Sequence, residues 1–217
     1  MQVRKLLAAL GVAVVVVGAC SSSTPGASGG GGGGAAADCT IAVSWNNYQE
    51  ERWAKWDEPA IKKAIEDAGG TYTSNDAKSS EETQANNVEN LLSQGADVLI
   101  ILAQSGDAIK PSVAKAIEAG VPVIAYDRLI EDPAALYITF DNVLVGKLQA
   151  EALLKVKDSG NFIVMKGNQA DANADFLREG MVQAGLPPAG ESNDKLKNVG
   201  ETYTDNWDPA TAQTQME

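Results

Sequence analysis

The chain has 217 residues, 44% of them apolar and 21% charged, with a net charge of −12 and no histidine. Such a composition suits one large or two small globular domains with a real core, and an acidic balance without clustered Lys and Arg excludes binding to nucleic-acid phosphates. The lack of imidazole rules out Ser-His and Cys-His nucleophiles and argues against a zinc site, so carboxylates, Lys or Tyr would have to carry any catalysis.

The first segment, MQVRKLLAALGVAVVVVGAC (1–20), has a basic start, an uncharged run from Leu6 to Ala19 and small residues before Cys20. That length suits a signal peptide and is short for a membrane span. The end of it, VGAC, resembles the lipobox of bacterial lipoproteins, which implies acylation of Cys20 and attachment to a membrane through the lipid. Residues 21–38, SSSTPGASGGGGGGAAAD, are too rich in Gly, Ser and Ala to bury surface and read as a flexible tether. The glycines match a dinucleotide fingerprint only trivially, because no strand precedes them. Cys39 reads as a small buried residue at the start of a strand.

From residue 40 onward short β-rich runs alternate with amphipathic helices. TIAVSW (40–45) is a strand, and WDEPAIKKAIEDAGG carries Ile61, Ala64, Ile65 and Ala68 on one helical face before two glycines end it. TYTS (71–74) is a second strand, and Ser79 with Glu82 forms a capping box for the helix EETQANNVENLLSQG. DVLIILA (97–103) is a continuous apolar run, as in a strand covered on both faces. The helix KPSVAKAIEAG, the strand VPVIAY, the strand LYITF (136–140), the helix NVLVGKLQAEALLKV, the strand NFIVMKG, the helix around DFLREGMVQAG and the strand LKNVGETYT continue the rhythm. It predicts an α/β fold with right-handed βαβ crossovers and parallel sheets. DPATAQTQME opens a last helix that has no C-terminal stop, so the sequence reads as a C-terminally truncated copy of a longer protein.

Ligands of open α/β sheets bind beyond the carboxyl ends of the strands, so the residues that follow each strand are the candidates. The first strand is followed by Arg52 and Trp53, the fourth by Asp127 and Arg128, the strand NFIVMKG by Asp171, Asn173 and Arg178, and the last strand by Trp207. Taken singly, Trp53 could be core and the Asp127–Arg128 pair could be a structural ion pair. Together they offer planar, bidentate donor and acceptor edges suited to neighbouring hydroxyl groups, plus flat apolar faces for a sugar ring. Nothing in the set awaits a phosphate. DANAD (171–175) imitates an EF-hand opening, but Phe176 and Val182 stand where the loop needs Gly and Glu, so neither calcium nor any other metal or cofactor is expected.

ERW (51–53), GADVLII, AYDRLI, FDN (140–142) with VGKLQA, and NADFLREG occur in order and resemble the substrate-binding proteins of bacterial sugar ABC importers, nearest to the D-xylose-binding branch. The resemblance runs from about residue 40 to the end. It implies two lobes of parallel sheet with helices on both faces, an N-terminal lobe over 39–142 and a partial C-terminal lobe over 143–217, with sugar held in the cleft between them. It also implies that Arg52, Trp53, Asp127 and Arg128 contact the sugar from one lobe and Asp171, Asn173, Arg178 and Trp207 from the other. The expected protein is therefore an exported, lipid-anchored, monomeric and non-enzymatic receptor that delivers D-xylose or a related aldose to an importer permease. Where xylose binders tend to carry a basic residue before ERW, this chain has Gln49 and Glu50. The same receptor could serve chemotaxis or a sensor kinase. A glycosidase using Glu50/Glu51 or Asp171/Asp175 is disfavoured, because acids adjacent in sequence do not face each other across a bond. A repressor of the lactose type would need a basic helix-turn-helix where this chain has an export signal.

Overall fold

The computed structural model describes residues 39–217. The signal peptide, the tether and the proposed acylation of Cys20 lie outside these residues.

Strands β1 (Thr40–Trp45), β2 (Thr71–Asp76), β3 (Val98–Ile101), β4 (Val123–Tyr126) and β5 (Ala135–Ile138) form one sheet in the order β2-β1-β3-β4-β5. Every pairing in it is parallel. β1 is an interior strand and alternates its side chains between two cores. Ala42 joins a cluster with Val88 and Leu91 of helix α2 (Glu81–Ser93) and with Val113 and Ala116 of helix α3 (Lys110–Glu118). Val43 and Trp45 face the other way, packing with Trp53, Leu102 and, from helix α1 (Glu58–Asp67), Ile61. A strand covered on both faces needs apolar residues in both registers, and that is the physical content of the continuous hydrophobic runs.

One local reading is corrected. The side chain that caps α2 is Ser80, whose Oγ accepts from the Thr83 N–H at 3.1 Å. Ser79 instead adopts a left-handed φ of 62°, and its hydroxyl is buried without a partner among the described residues. Residues 127–134 link β4 to its parallel neighbour β5 without a helix. This connection leaves Asp127 and Arg128 at the carboxyl end of β4, facing the cleft.

Beyond β5 come helix α4 (Asn142–Val156), strand β6 (Gly160–Lys166), helix α5 (Asn173–Gln183), strand β7 (Leu196–Tyr203), a short 3-10 turn (Asp205–Trp207) and helix α6 (Pro209–Met216). β6 and β7 pair in parallel as a second sheet. Its core is small: Ala150, Leu186 and Leu196 are buried, with Leu154, Phe162, Met181 and Ala184 against them. Leu144, Leu148, Leu153 and Val156 of α4 remain exposed. All described residues belong to one compact unit.

α4 and α5 touch through two glycines. A Cβ on Gly146 would sit 1.9 Å from the Leu177 carbonyl oxygen, and one on Gly180 would sit 1.9 Å from that of Val143. Both obstacles are backbone, so neither can rotate away. Gly146→Ala is therefore expected to destabilise this half by about 3 kcal/mol through overpacking, despite the higher helix propensity of Ala. Chemical denaturation of the two proteins measures the difference, and an unchanged midpoint would refute the close approach.

Candidate functional site

The carboxyl ends of β1 and β4, the start of α4 and the segments after β6 and β7 converge on a cavity of about 200 Å³. Liquid water takes roughly 30 Å³ per molecule, so the space suits a ligand of several heavy atoms and is smaller than a typical drug-sized pocket. Glu50, Arg52, Trp53, Asp127, Arg128, Phe140, Asn142, Asp171, Asn173, Leu177 and Trp207 line it.

The loop after β1 is built by Asn47, whose Oδ1 accepts from the N–H groups of Gln49 at 2.9 Å and Glu50 at 3.2 Å. This Asx turn passes the chain into a π-helical segment (Trp53–Asp57), a local form found at functional sites. The Trp53 ring is buried against β1, and the Arg52 guanidinium lies 4.3 Å from its centroid and 5.5 Å from that of Phe140. Arg52 is held in place by two carboxylates, Asp57 and Asp127, each at 2.9 Å.

After β4 the chain turns within three residues. The Arg128 N–H donates to the Tyr126 carbonyl at 2.7 Å, and Asp127 between them has a φ of 63°. This is the γ-turn with positive φ, a rare and strained form that non-glycine residues adopt only when the surroundings enforce it. Asp127 is enforced from several sides. Its N–H donates to the Ile138 carbonyl at 2.8 Å, its own carbonyl accepts from Asn173 Nδ2 at 3.0 Å, and its carboxylate accepts from Arg52 Nη1. The turn reverses the chain fast enough to send two successive side chains into the cleft.

Arg128 is deeply placed, with its side chain only 3% exposed. Nη2 donates to Glu50 Oε1 at 2.7 Å and Nη1 to the Ala103 carbonyl at 3.2 Å. Nε lies 3.2 Å from Asp171 Oδ2, close enough for an ion pair, yet its N–H is not aimed at that oxygen and, among the described residues, has no hydrogen-bond partner. The Trp53 indole N–H is likewise buried and without a hydrogen-bond partner among the described residues.

From the second sheet, Asp171 accepts from the Asn173 N–H at 3.0 Å and from Trp207 Nε1 at 3.0 Å. Burial pushes its carboxyl above the ordinary carboxylate value, against the opposing pull of Arg128 and of these hydrogen bonds. Asn173 begins α5, and its Oδ1 accepts from Asn142 Nδ2 at 2.9 Å. Trp207 has a φ of 55°, unusual for so bulky a residue, and its ring lies on Gly167, where a Cβ would come within 2.0 Å of it.

Seven of the eight expected ligand-binding residues thus line one cavity. Arg178 does not. Its guanidinium is buried between Glu201, at 2.6 Å, and the carbonyls of Leu186 and Pro187, where it ties α5 to β7. A helical residue seven positions after Asp171 points back into its own half, so location after a strand misled for a residue placed mid-helix. Sequence reasoning missed Glu50, Phe140, Asn142 and Leu177. Glu50 was within reach, because it shares the post-β1 loop with Arg52. Leu177 carries no signal, since an apolar residue at helical spacing reads as core. Among the described residues no group of three His, Cys, Asp or Glu side chains could hold a metal ion.

Comparison with known proteins places these features in a family. The model of the periplasmic binding protein domain matches residues 41–217. The D-xylose-binding periplasmic protein of Escherichia coli (strain K12) is 38% identical over 178 residues, which are 82% of this chain and 53% of that protein. The multiple sugar-binding periplasmic receptor ChvE of Rhizobium radiobacter is 34% identical over 195 residues, covering 82% of this chain and 53% of the receptor. An ABC transporter solute binding protein from Clostridium phytofermentans, solved with bound β-D-glucose, superposes with a TM-score of 0.71 at 29% identity, covering 82% of this chain and 58% of that one. The chain spans about half the length of the curated relatives it matches. With a matching domain model over most of its described length and two parallel sheets meeting at a polar cleft, the chain belongs to the periplasmic binding protein domain family.

Proposed function

We propose that the protein is an exported, non-enzymatic receptor that captures a neutral monosaccharide, D-xylose or a related aldose, and hands it to an ABC importer permease. One observation carries the reading. A small cavity is walled from both sheets by planar polar groups and aromatic rings, and buried N–H groups of two lining residues, Trp53 Nε1 and Arg128 Nε, have no hydrogen-bond partner among the described residues. Buried donors normally find acceptors, so a pair left over in a cleft calls for a ligand with oxygen atoms. Relatives named for D-xylose and for several sugars, and a neighbour holding β-D-glucose, agree with that chemistry.

On this reading the first lobe comprises residues 39–142 and the second begins at 143. Arg52, Trp53, Asp127 and Arg128 grip the sugar from one side, and Asp171, Asn173 and Trp207 from the other. The sugar bridges the lobes and so binds the closed arrangement better than an open one, which shifts the population towards closure. The permease reads the closed shape. The monomer works at the outer face of the cytoplasmic membrane, held by a lipid on Cys20 and the glycine-rich tether.

Calorimetry of the full-length protein against pentoses and hexoses tests the proposal: at least one neutral aldose binds, and heat from none of them would refute it. Asp127→Asn keeps a residue that tolerates the left-handed turn and removes only the charge. It should weaken the sugar by about 2 kcal/mol, roughly 30-fold, with an unchanged circular dichroism spectrum. Asp127→Ala should add a fold penalty of about 1 kcal/mol from the positive φ.

Acidification offers a further check. A carboxyl with a raised folded pKa takes its proton more readily in the fold than unfolded. The contribution of Asp171 to stability is therefore full below about 3.9, the ordinary Asp value, and is lost as pH rises through its folded pKa. Sugar affinity runs the other way, because the charged form organises Arg128 and Trp207. Asp171→Asn should flatten both dependences, seen as the wild-type-minus-variant difference in denaturation and calorimetry across that window.

A further inference from the structure

The ionic inventory of the cleft is unbalanced. Its lining holds three carboxylates, Glu50, Asp127 and Asp171, and two guanidiniums, Arg52 and Arg128. Both cations are already engaged. Arg52 holds Asp57 and Asp127, and Arg128 holds Glu50 with the Ala103 carbonyl and lies against Asp171. An anionic ligand would meet no uncommitted positive group and one surplus negative charge.

Glu50 decides that balance. Without its charge the lining would hold two acids against two bases, and Arg128 would lose one of its counter-charges. The residue is also a built feature. Oε1 accepts from Arg128 Nη2 at 2.7 Å, from Asn46 Nδ2 at 3.3 Å and from Asn47 Nδ2 at 3.4 Å. Asn46 and Asn47 are themselves buried. All three bonds use the same oxygen, and among the described residues no donor reaches Oε2. An acceptor with spare capacity in the lining suits a hydroxyl donor and repels a carboxylate or phosphate.

Resting on the reading of the cleft as a sugar site, we propose that Glu50 is the specificity residue that restricts the ligand to uncharged sugars, excluding uronic acids and sugar phosphates. In the protected environment of a cleft, one uncompensated charge at contact distance is worth about 100-fold in affinity.

The test uses the full-length protein and Glu50→Gln, which keeps the size and the acceptor oxygen. Calorimetry first finds the neutral aldose that binds best. D-glucuronate, D-galacturonate and ribose 5-phosphate should each bind wild type about 100-fold more weakly than that aldose. Tens of millimolar sulfate at constant ionic strength should leave its affinity in wild type unchanged. In Glu50→Gln, sulfate should compete and lower the apparent affinity about tenfold, because Arg128 loses the counter-charge of Glu50. Sulfate competing equally in both proteins, or an anionic sugar binding wild type as tightly as the neutral one, overturns the assignment of Glu50 while leaving the sugar reading intact. No binding of any neutral aldose overturns both.

Discussion

The burial of the Arg128 guanidinium is the constraint around which the cleft is organised. Removing a full charge from water costs several kcal/mol, and a well-packed apolar side chain in its place would commonly give an equal or more stable fold. The protein meets that cost with Glu50 and the Ala103 carbonyl from one sheet and Asp171 from the other. The network is not closed, since Nε lacks a hydrogen bond among the described residues and the Asp171 carboxyl is itself held above its ordinary pKa by burial. A charge kept at such expense, with its pairing left incomplete, marks a functional site more than a stabilising one.

Backbone strain follows the same geography. Positive φ at non-glycine residues occurs at Lys78, Ser79, Asp127, Asn206 and Trp207 among the described residues. Three of the five stand at the cleft or beside it. Asp127 is forced into its γ-turn by hydrogen bonds from both sheets, and Trp207 lies on Gly167 in a place that no other residue at position 167 would leave open. Asn206, next to it, accepts from Gln104 Nε2 at 2.8 Å and so joins the β7 end to the segment after β3. The strain is sustained by contacts that cross between the sheets, so each half holds its partner's site residues in position.

Much of this was legible in residue order, for a physical reason. Parallel strands buried on both faces must be apolar throughout, so their ends announce themselves, and the polar residue after each end must lie at one edge of the sheet. That logic placed Arg52, Asp127, Arg128, Asp171, Asn173 and Trp207 together without any contact being known. It failed where side-chain direction matters more than position. Arg178 follows the same strand as Asp171 but sits two turns along a helix, and its guanidinium satisfies Glu201 and two carbonyls in the interior of its own half. The exchange of Ser79 for Ser80 as the α2 cap was equally invisible, because two adjacent serines offer the same hydroxyl and only backbone dihedrals separate them.

On the proposed function, the contacts across the cleft also bear on how ligand binding could switch the protein. Arg128 with Asp171, the Asp127 carbonyl with Asn173, and Gln104 with Asn206 already join the two sheets without a ligand. Each would have to break for the cleft to open, and each must be weak enough that it can. Two features weaken the first of them: the Arg128–Asp171 pair lacks an aligned N–H, and Asp171 is destabilised as an anion. A ligand that supplied oxygen atoms to Arg128 Nε and Trp53 Nε1 would satisfy what the protein leaves open, and would do so only when both walls are in place. That differential satisfaction is the free energy by which binding could favour the closed form.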